Sequence, residues 1–144
     1  AVSATSEPVD AADGIPSPRA KRIIALTLAC YWLALFIGTH IPIQQMEKLP
    51  KFSDKLMHFG AYAGLSFLFA LWRASGRGWK NWSPLFVLFV MAIYGIADEL
   101  LQKPVNRSAE VADWIADILG SAAGIVVFIA LQKPLRARLG VCAT

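Results

Sequence analysis

The chain has 144 residues, of which 56% are hydrophobic and 17% carry a charge, with a formal net charge of +4. The charged fraction is well below the quarter expected of a soluble domain, so the composition favours a single domain inside a membrane. The basic residues recur at the ends of apolar runs, with no basic stripe carrying interleaved aromatic residues. This pattern is typical of membrane proteins and excludes nucleic acid as the expected partner.

Residues 1–20 combine acids, prolines and small side chains, and nothing in them could form a core. We expect a disordered cytoplasmic tail there, followed by one membrane domain over residues 21–140. Four apolar runs lie in that domain, at 23–41, 56–72, 85–101 and 114–131. The first spans about 28 Å as a helix, close to the thickness of bilayer hydrocarbon. The sequence therefore predicts an all-α fold, a bundle of four transmembrane helices.

Lysine and arginine are unevenly distributed between the two sides of this bundle. Nine lie before the first run, between the second and third runs, and after the fourth, whereas the other two loops hold five. The positive-inside rule then places both termini in the cytoplasm. Beyond the tail, every acid lies at the opposite ends of the helices, so we expect the carboxylates to face out of the cell.

Three ionisable side chains reach a similar depth in three different helices. Counted from the basic helix ends, His58, Asp98 and Asp117 lie about 21–24 Å along their helices. Hydrocarbon is about 30 Å thick, so all three would lie just below the outer interface. Charged groups at that depth are costly and usually have partners or a function. This coincidence favours one shared polar pocket.

The spacing of the polar residues supports the same pocket. Polar partners recur four residues apart on three helices, which places each pair on one face of its helix. The candidate ligand-binding residues are Asp54, His58, Asp98, Glu99, Gln102, Arg107, Asp113 and Asp117.

Two of these residues suggest chemistry. Arg107 is the only arginine on the outer side, and its fork fits a carboxylate or a ligand's carboxylate or phosphate. His58, one helical turn from Asp54, is suited to carry a proton. The alternative is structural: the polar groups, including a pair between Arg107 and Asp113, would only clamp the helices together. One histidine among scattered carboxylates is a weak metal signal, and the usual catalytic motifs are absent, so we expect no metal and no cofactor.

Small residues four positions apart recur in the second and fourth runs, as Gly60 with Gly64 and Gly120 with Gly124. Such spacing allows helix backbones to approach closely. We expect packing within the bundle, with homodimerisation as the alternative.

Three spaced motifs together resemble the VanZ-like family: DKLMHFGAY at 54–62, YGIADELLQ at 94–102, and DWIADILG at 113–120, with Arg107 before the third. The resemblance implies a small polytopic bacterial inner-membrane protein of the cell envelope, in a family associated with resistance to the glycopeptide teicoplanin. The family's motif residues fall by position on Asp54, His58, Glu99, Gln102, Arg107, Asp113 and Asp117. Many members have Asn where Asp117 stands, so this chain adds a negative charge to the pocket.

Three functions remain open at this stage. The first is an outward-facing pocket that binds an amphiphilic ligand, such as a lipid-linked or lipopeptide-like molecule from the membrane. The second is a non-enzymatic accessory subunit of a larger membrane complex, with a structural polar network; a homo-oligomer of this chain alone would count against it. The third is a lipid-modifying hydrolase or transferase that uses His58 with Asp98 or Glu99 as acid and base, for which no nucleophile is evident.

Overall fold

The computed structural model describes residues 17–40, 51–102 and 110–139, with side chains from residue 54 in the second range and up to residue 135 in the third. The four helices are α1 (Pro18–Thr39), α2 (Lys51–Arg77), α3 (Ser83–Gln102) and α4 (Val111–Leu139). No strand occurs among the described residues, which confirms the all-α prediction. Residues 1–16 of the predicted tail and Arg107 lie outside the described ranges.

Local sequence explains where the helices begin and turn. Pro18 occupies the first turn of α1, where its missing N–H costs nothing, and the Ser17 hydroxyl accepts a hydrogen bond from Ala20 N at 3.2 Å. Helix α1 therefore begins inside the segment predicted as tail. Between α2 and α3, Gly78 has a φ of 72°, which favours glycine, and the Ser83 hydroxyl accepts from Lys80 N at 2.9 Å.

Three helices are long and apolar enough to cross a membrane: α1, α3 and the Val111–Leu135 part of α4. Helix α2 is not among these candidate spans of the described chain, although it has 27 residues. It packs against all three other helices, most extensively against α4. Because α2 presents less of its surface outward, it can carry buried polar side chains such as His58 and Ser66.

The helices run alternately up and down, so chemically different residues gather at the two ends of the bundle. At one end, Thr39 of α1 contacts Asp98 of α3, and His58 of α2 contacts Asp117 of α4. We call this the carboxylate end. At the other, which we call the basic end, Lys21 of α1 and the last turns of α2 meet the start of α3. The carboxylates are thus separated from the basic clusters by the length of the bundle.

Glycines let α4 pack tightly on α2. A Cβ at Gly120 would collide with the backbone carbonyl of Phe59, and one at Gly124 with that of Ala63. Gly64 makes room for the phenol of Tyr31, whose hydroxyl donates to Ala61 O at 3.0 Å. Gly60 does not share this packing role, since a Cβ there would meet no heavy atom within 4 Å.

Replacing Gly120 with alanine should lower the free energy of unfolding by about 1–3 kcal/mol, because the added methyl group would push α4 off the Phe59 carbonyl. Thermal unfolding in detergent measures the loss. Gly60→Ala is the matched control: its methyl meets open space, and alanine favours the helix. Equal destabilisation by both changes would contradict the close α2–α4 contact.

Candidate functional site

The centre of the carboxylate end is a buried contact between His58 of α2 and Asp117 of α4. The Nδ1 atom of His58 lies 3.0 Å from Oδ1 of Asp117, and the two side chains are 4% and 1% exposed. An ionised carboxylate only accepts hydrogen bonds, so with Asp117 ionised the imidazole proton lies on Nδ1. The spacing in the sequence predicted Asp54, on the same helix, as the neighbour of His58. In the structure, the hydrogen-bond partner of His58 is Asp117 of α4.

Asp98 joins α1 to α3 and is fully buried. Its Oδ1 accepts a hydrogen bond from the Thr39 hydroxyl at 3.0 Å, and its Oδ2 accepts from Gln102 Nε2 at 3.2 Å. Nδ1 of His40 lies 3.8 Å from the same Oδ1. The pair at i and i+4, Asp98 and Gln102, therefore lies on one helix face as its spacing predicts, and α1 supplies the remaining contacts.

Two carboxylate oxygens in this region are buried and have no hydrogen-bond partner among the described residues: Oε1 of Glu99 and Oδ2 of Asp117. The other oxygen of Glu99 accepts from the backbone N–H of Glu110 at 3.0 Å. A Cβ at Gly95 would lie 3.2 Å from Oδ2 of Asp117, so the glycine leaves room for this carboxylate. Unpaired buried acceptors are costly, which suits a site that receives donors from a ligand.

A lysine supplies the cation at the rim of the site. Nζ of Lys55 donates to Asp113 at 2.8 Å and to Glu110 at 3.1 Å. These two hydrogen bonds raise the pKa of the Lys55 ammonium above its usual value, so the charge persists at neutral pH. The structural alternative paired Asp113 with Arg107. In the structure Asp113 accepts a hydrogen bond from Lys55. Arg107 lies outside the described residues, so its pairing with Asp113 stays a prediction.

The same side chains bring potential metal ligands close together. One set is His58, Glu99 and Asp117, and another is His58, Asp54 and Asp113; within each, the ligand atoms lie within 4.8 Å of one another. Carboxylate oxygens with an imidazole nitrogen suit a divalent cation. The sequence predicts no metal here, yet the residues of either set have the chemistry to hold one.

An apolar groove between α3 and α4 leads to this cluster. It encloses about 270 Å³ and is lined by the apolar side chains of Ile96, Leu100, Val111 and Trp114, together with Glu99 and Glu110. The Trp114 ring is held in place because its Nε1 donates to Ala92 O at 3.1 Å. The arrangement can accept an apolar chain alongside a carboxylate.

Seven of the eight predicted site residues lie in the described part of the chain, and all seven lie at the carboxylate end. Five residues that complete the cluster were not predicted from the sequence: Thr39, His40, Lys55, Glu110 and Trp114. Thr39 and His40 had a usable signal, because they are polar residues near the C-terminal end of the first apolar run. Lys55 had one as well, since it lies one helical turn before His58.

The family model described as VanZ/LLP1 matches residues 20–132, which include all of α2 and α3 and most of α1 and α4. Neither the curated proteins nor the solved structures gave a match. Because the matched span covers most of the chain, this protein belongs to the VanZ/LLP1 family.

Proposed function

We propose that this protein crosses the bacterial inner membrane four times, with both termini in the cytoplasm, and that its outward-facing carboxylate end binds an amphiphilic cell-envelope ligand. The orientation is supported by the excess of lysine and arginine at the basic end. The proposed ligand class is a lipid-linked or lipopeptide-like molecule, consistent with a role related to glycopeptide resistance.

The observation that carries the proposal is an apolar groove whose lining includes Glu99, a carboxylate with one buried oxygen that has no hydrogen-bond partner among the described residues. Ile96, Leu100 and Trp114 would contact the hydrocarbon part of the ligand. The unpaired Oε1 of Glu99 would then accept a hydrogen bond from a hydroxyl, amide or ammonium donor of the head group. Pockets for small amphiphiles commonly combine apolar walls with a few such polar groups.

The remaining polar residues would orient the head group. Oδ2 of Asp117 offers a second acceptor, and His58 at the same carboxylate can exchange a proton with it. Arg107 would bind an anionic group of the ligand through its fork. The ligand would therefore carry both hydrogen-bond donors and a negative charge in its head group.

Filling the groove tests the proposal directly. The variant Ile96→Trp should weaken binding of a labelled lipopeptide or lipid-linked saccharide to the purified protein about tenfold or more, because the indole would occupy the place of the acyl chain. Fluorescence anisotropy in detergent measures the affinity.

Ile93→Trp is the matched control for this variant. Ile93 lies on the same helix and is 54% exposed, close to the 43% of Ile96, but it does not line the groove. Its binding should equal that of the unchanged protein. Equal binding by Ile96→Trp would overturn the groove assignment, and equal binding by Arg107→Ala would remove the anion-binding role of that residue.

The accessory-subunit function makes a different prediction for the native assembly. Large apolar side chains such as Leu26, Leu33 and Leu85 are exposed on the bundle, and either lipid or a partner chain would cover them. Under the binding function, mild-detergent purification from its own membranes should yield the chain alone or with copies of itself. Stoichiometric recovery of a different protein, with no ligand binding, would support the accessory subunit instead.

A further inference from the structure

The basic end of the bundle contains a second cavity, separate from the carboxylate end. It encloses about 500 Å³ between the start of α1, the end of α2 and the start of α3. Its lining combines three cations with aromatic rings: Lys21, Arg73, Arg77, Phe69, Trp72 and Phe86. Every carboxylate of residues 17–40, 51–102 and 110–139 lies at the other end, so the described walls of this cavity carry positive charges and no negative charge.

Arg73 is the unusual residue of this cavity, because it is 5% exposed and yet has no counter-ion in the described chain. Its Nε is buried without a hydrogen-bond partner, and the ion pairs between described residues do not include it. A guanidinium cannot lose its proton in a protein, and a buried unpaired charge is strongly unfavourable. The structure therefore lacks a negative partner at this position.

Aromatic rings compensate Arg73 only in part. Its guanidinium carbon lies 4.5 Å from the ring centroid of Trp82 and 4.9 Å from that of Phe86. Cation–π attraction of this kind positions the group and adds modest stabilisation. It does not satisfy the in-plane N–H donors, which form a rigid fork suited to two oxygens of one phosphate. The rings of Trp82 and Phe86 therefore position the Arg73 guanidinium at the cavity.

We infer that this cavity binds a phosphate oxyanion, with Arg73 as the buried ligand and Lys21 and Arg77 as the outer cations. Basic pockets between helices near a membrane surface are typical sites for anionic lipid head groups. Phe69 and Trp72 would then contact the glycerol and upper acyl region of the lipid. A free phosphate has the same oxyanion chemistry without those apolar contacts. This inference is independent of the function proposed for the carboxylate end.

Two probes, each applied to the whole chain in detergent, distinguish a lipid head group from free phosphate. Native mass spectrometry would measure binding of a short-chain phosphatidylglycerol, with the diacylglycerol of the same chains as the phosphate-free control, and calorimetry would measure inorganic phosphate. We expect phosphatidylglycerol to bind about tenfold or more tightly than diacylglycerol. Weaker binding of inorganic phosphate would assign the site to a lipid, and equal binding would assign it to free phosphate.

The variant Arg73→Gln should weaken whichever phosphate probe binds by about tenfold or more. Because removal of a buried arginine can impair folding, Lys21→Gln and Arg77→Gln serve as second variants, each with a smaller loss. Arg22→Gln, at an exposed residue of α1 outside the cavity, should bind normally.

Two results would overturn the inference. One is equal phosphate binding by a folded Arg73→Gln protein and the unchanged protein. The other is binding that appears only after Glu7, Asp10 and Asp13 are replaced by their amides, which would assign the cavity to the acidic segment that precedes α1.

Discussion

Replacing His58 with leucine should lower the free energy of unfolding by about 3–5 kcal/mol, because Asp117 would be left as a buried carboxylate without its partner. The pair is nearly inaccessible to solvent, so water cannot take the place of the imidazole. Reversible unfolding in mixed micelles, followed by circular dichroism, gives the loss.

Two further variants separate the charge from the hydrogen bond. Asp117→Asn keeps an oxygen that can accept from His58 Nδ1 and should cost much less than His58→Leu. The double variant with leucine at both positions should lose less free energy of unfolding than His58→Leu and Asp117→Leu lose together. In the double variant neither partner remains buried and unpaired. Strictly additive losses would show that the His58–Asp117 contact does not contribute as a pair.

Replacing Tyr62 with alanine should destabilise the bundle by about 3–5 kcal/mol, through the cavity left in the centre of the core. Tyr62 is fully buried on α2, and its ring stacks on Tyr94 of α3 with centroids 5.8 Å apart. In a membrane protein, such packing is a main source of helix association. Unfolding in the same micelles measures the effect.

Tyr62→Phe is the matched control, because the Tyr62 hydroxyl is buried without a hydrogen-bond partner among the described residues. Removing an unpaired hydroxyl should leave stability within about 1 kcal/mol of the unchanged protein, or raise it. A loss from Tyr62→Phe as large as that from Tyr62→Ala would mean that the hydroxyl, and not the ring, holds the helices together.

Both variants concern α2, the helix whose apolar run is the most interrupted. Its polar positions are explained by its central place, since His58, Tyr62 and Ser66 face neighbouring helices and the Ser66 hydroxyl donates to Ser121 O at 3.0 Å. From the sequence, this run was predicted to be a transmembrane helix like the other three. Only the packing distinguishes a helix enclosed by its neighbours from those that present apolar surface outward.

The helical, membrane-type architecture follows from the sequence, and so does the gathering of the carboxylates beyond residue 20 at one end of the bundle. Apolar length and helical periodicity are local properties, so they can be read without knowing which helices touch. They also placed His58, Asp98 and Asp117 at one depth and put Asp98 and Gln102 on one face. The three spaced motifs indicated the family, which the match over residues 20–132 confirms.

The hydrogen-bond partners, by contrast, depend on how the helices pack. Asp117 meets His58, Lys55 meets Asp113, and Thr39 meets Asp98, all across more than fifty residues of sequence. A pattern states which face of a helix is polar, but the rotation of each helix about its axis depends on how the surfaces fit. Here the close approach of α4 to α2 at Gly120 and Gly124 sets that fit, so no local rule could give the pairing.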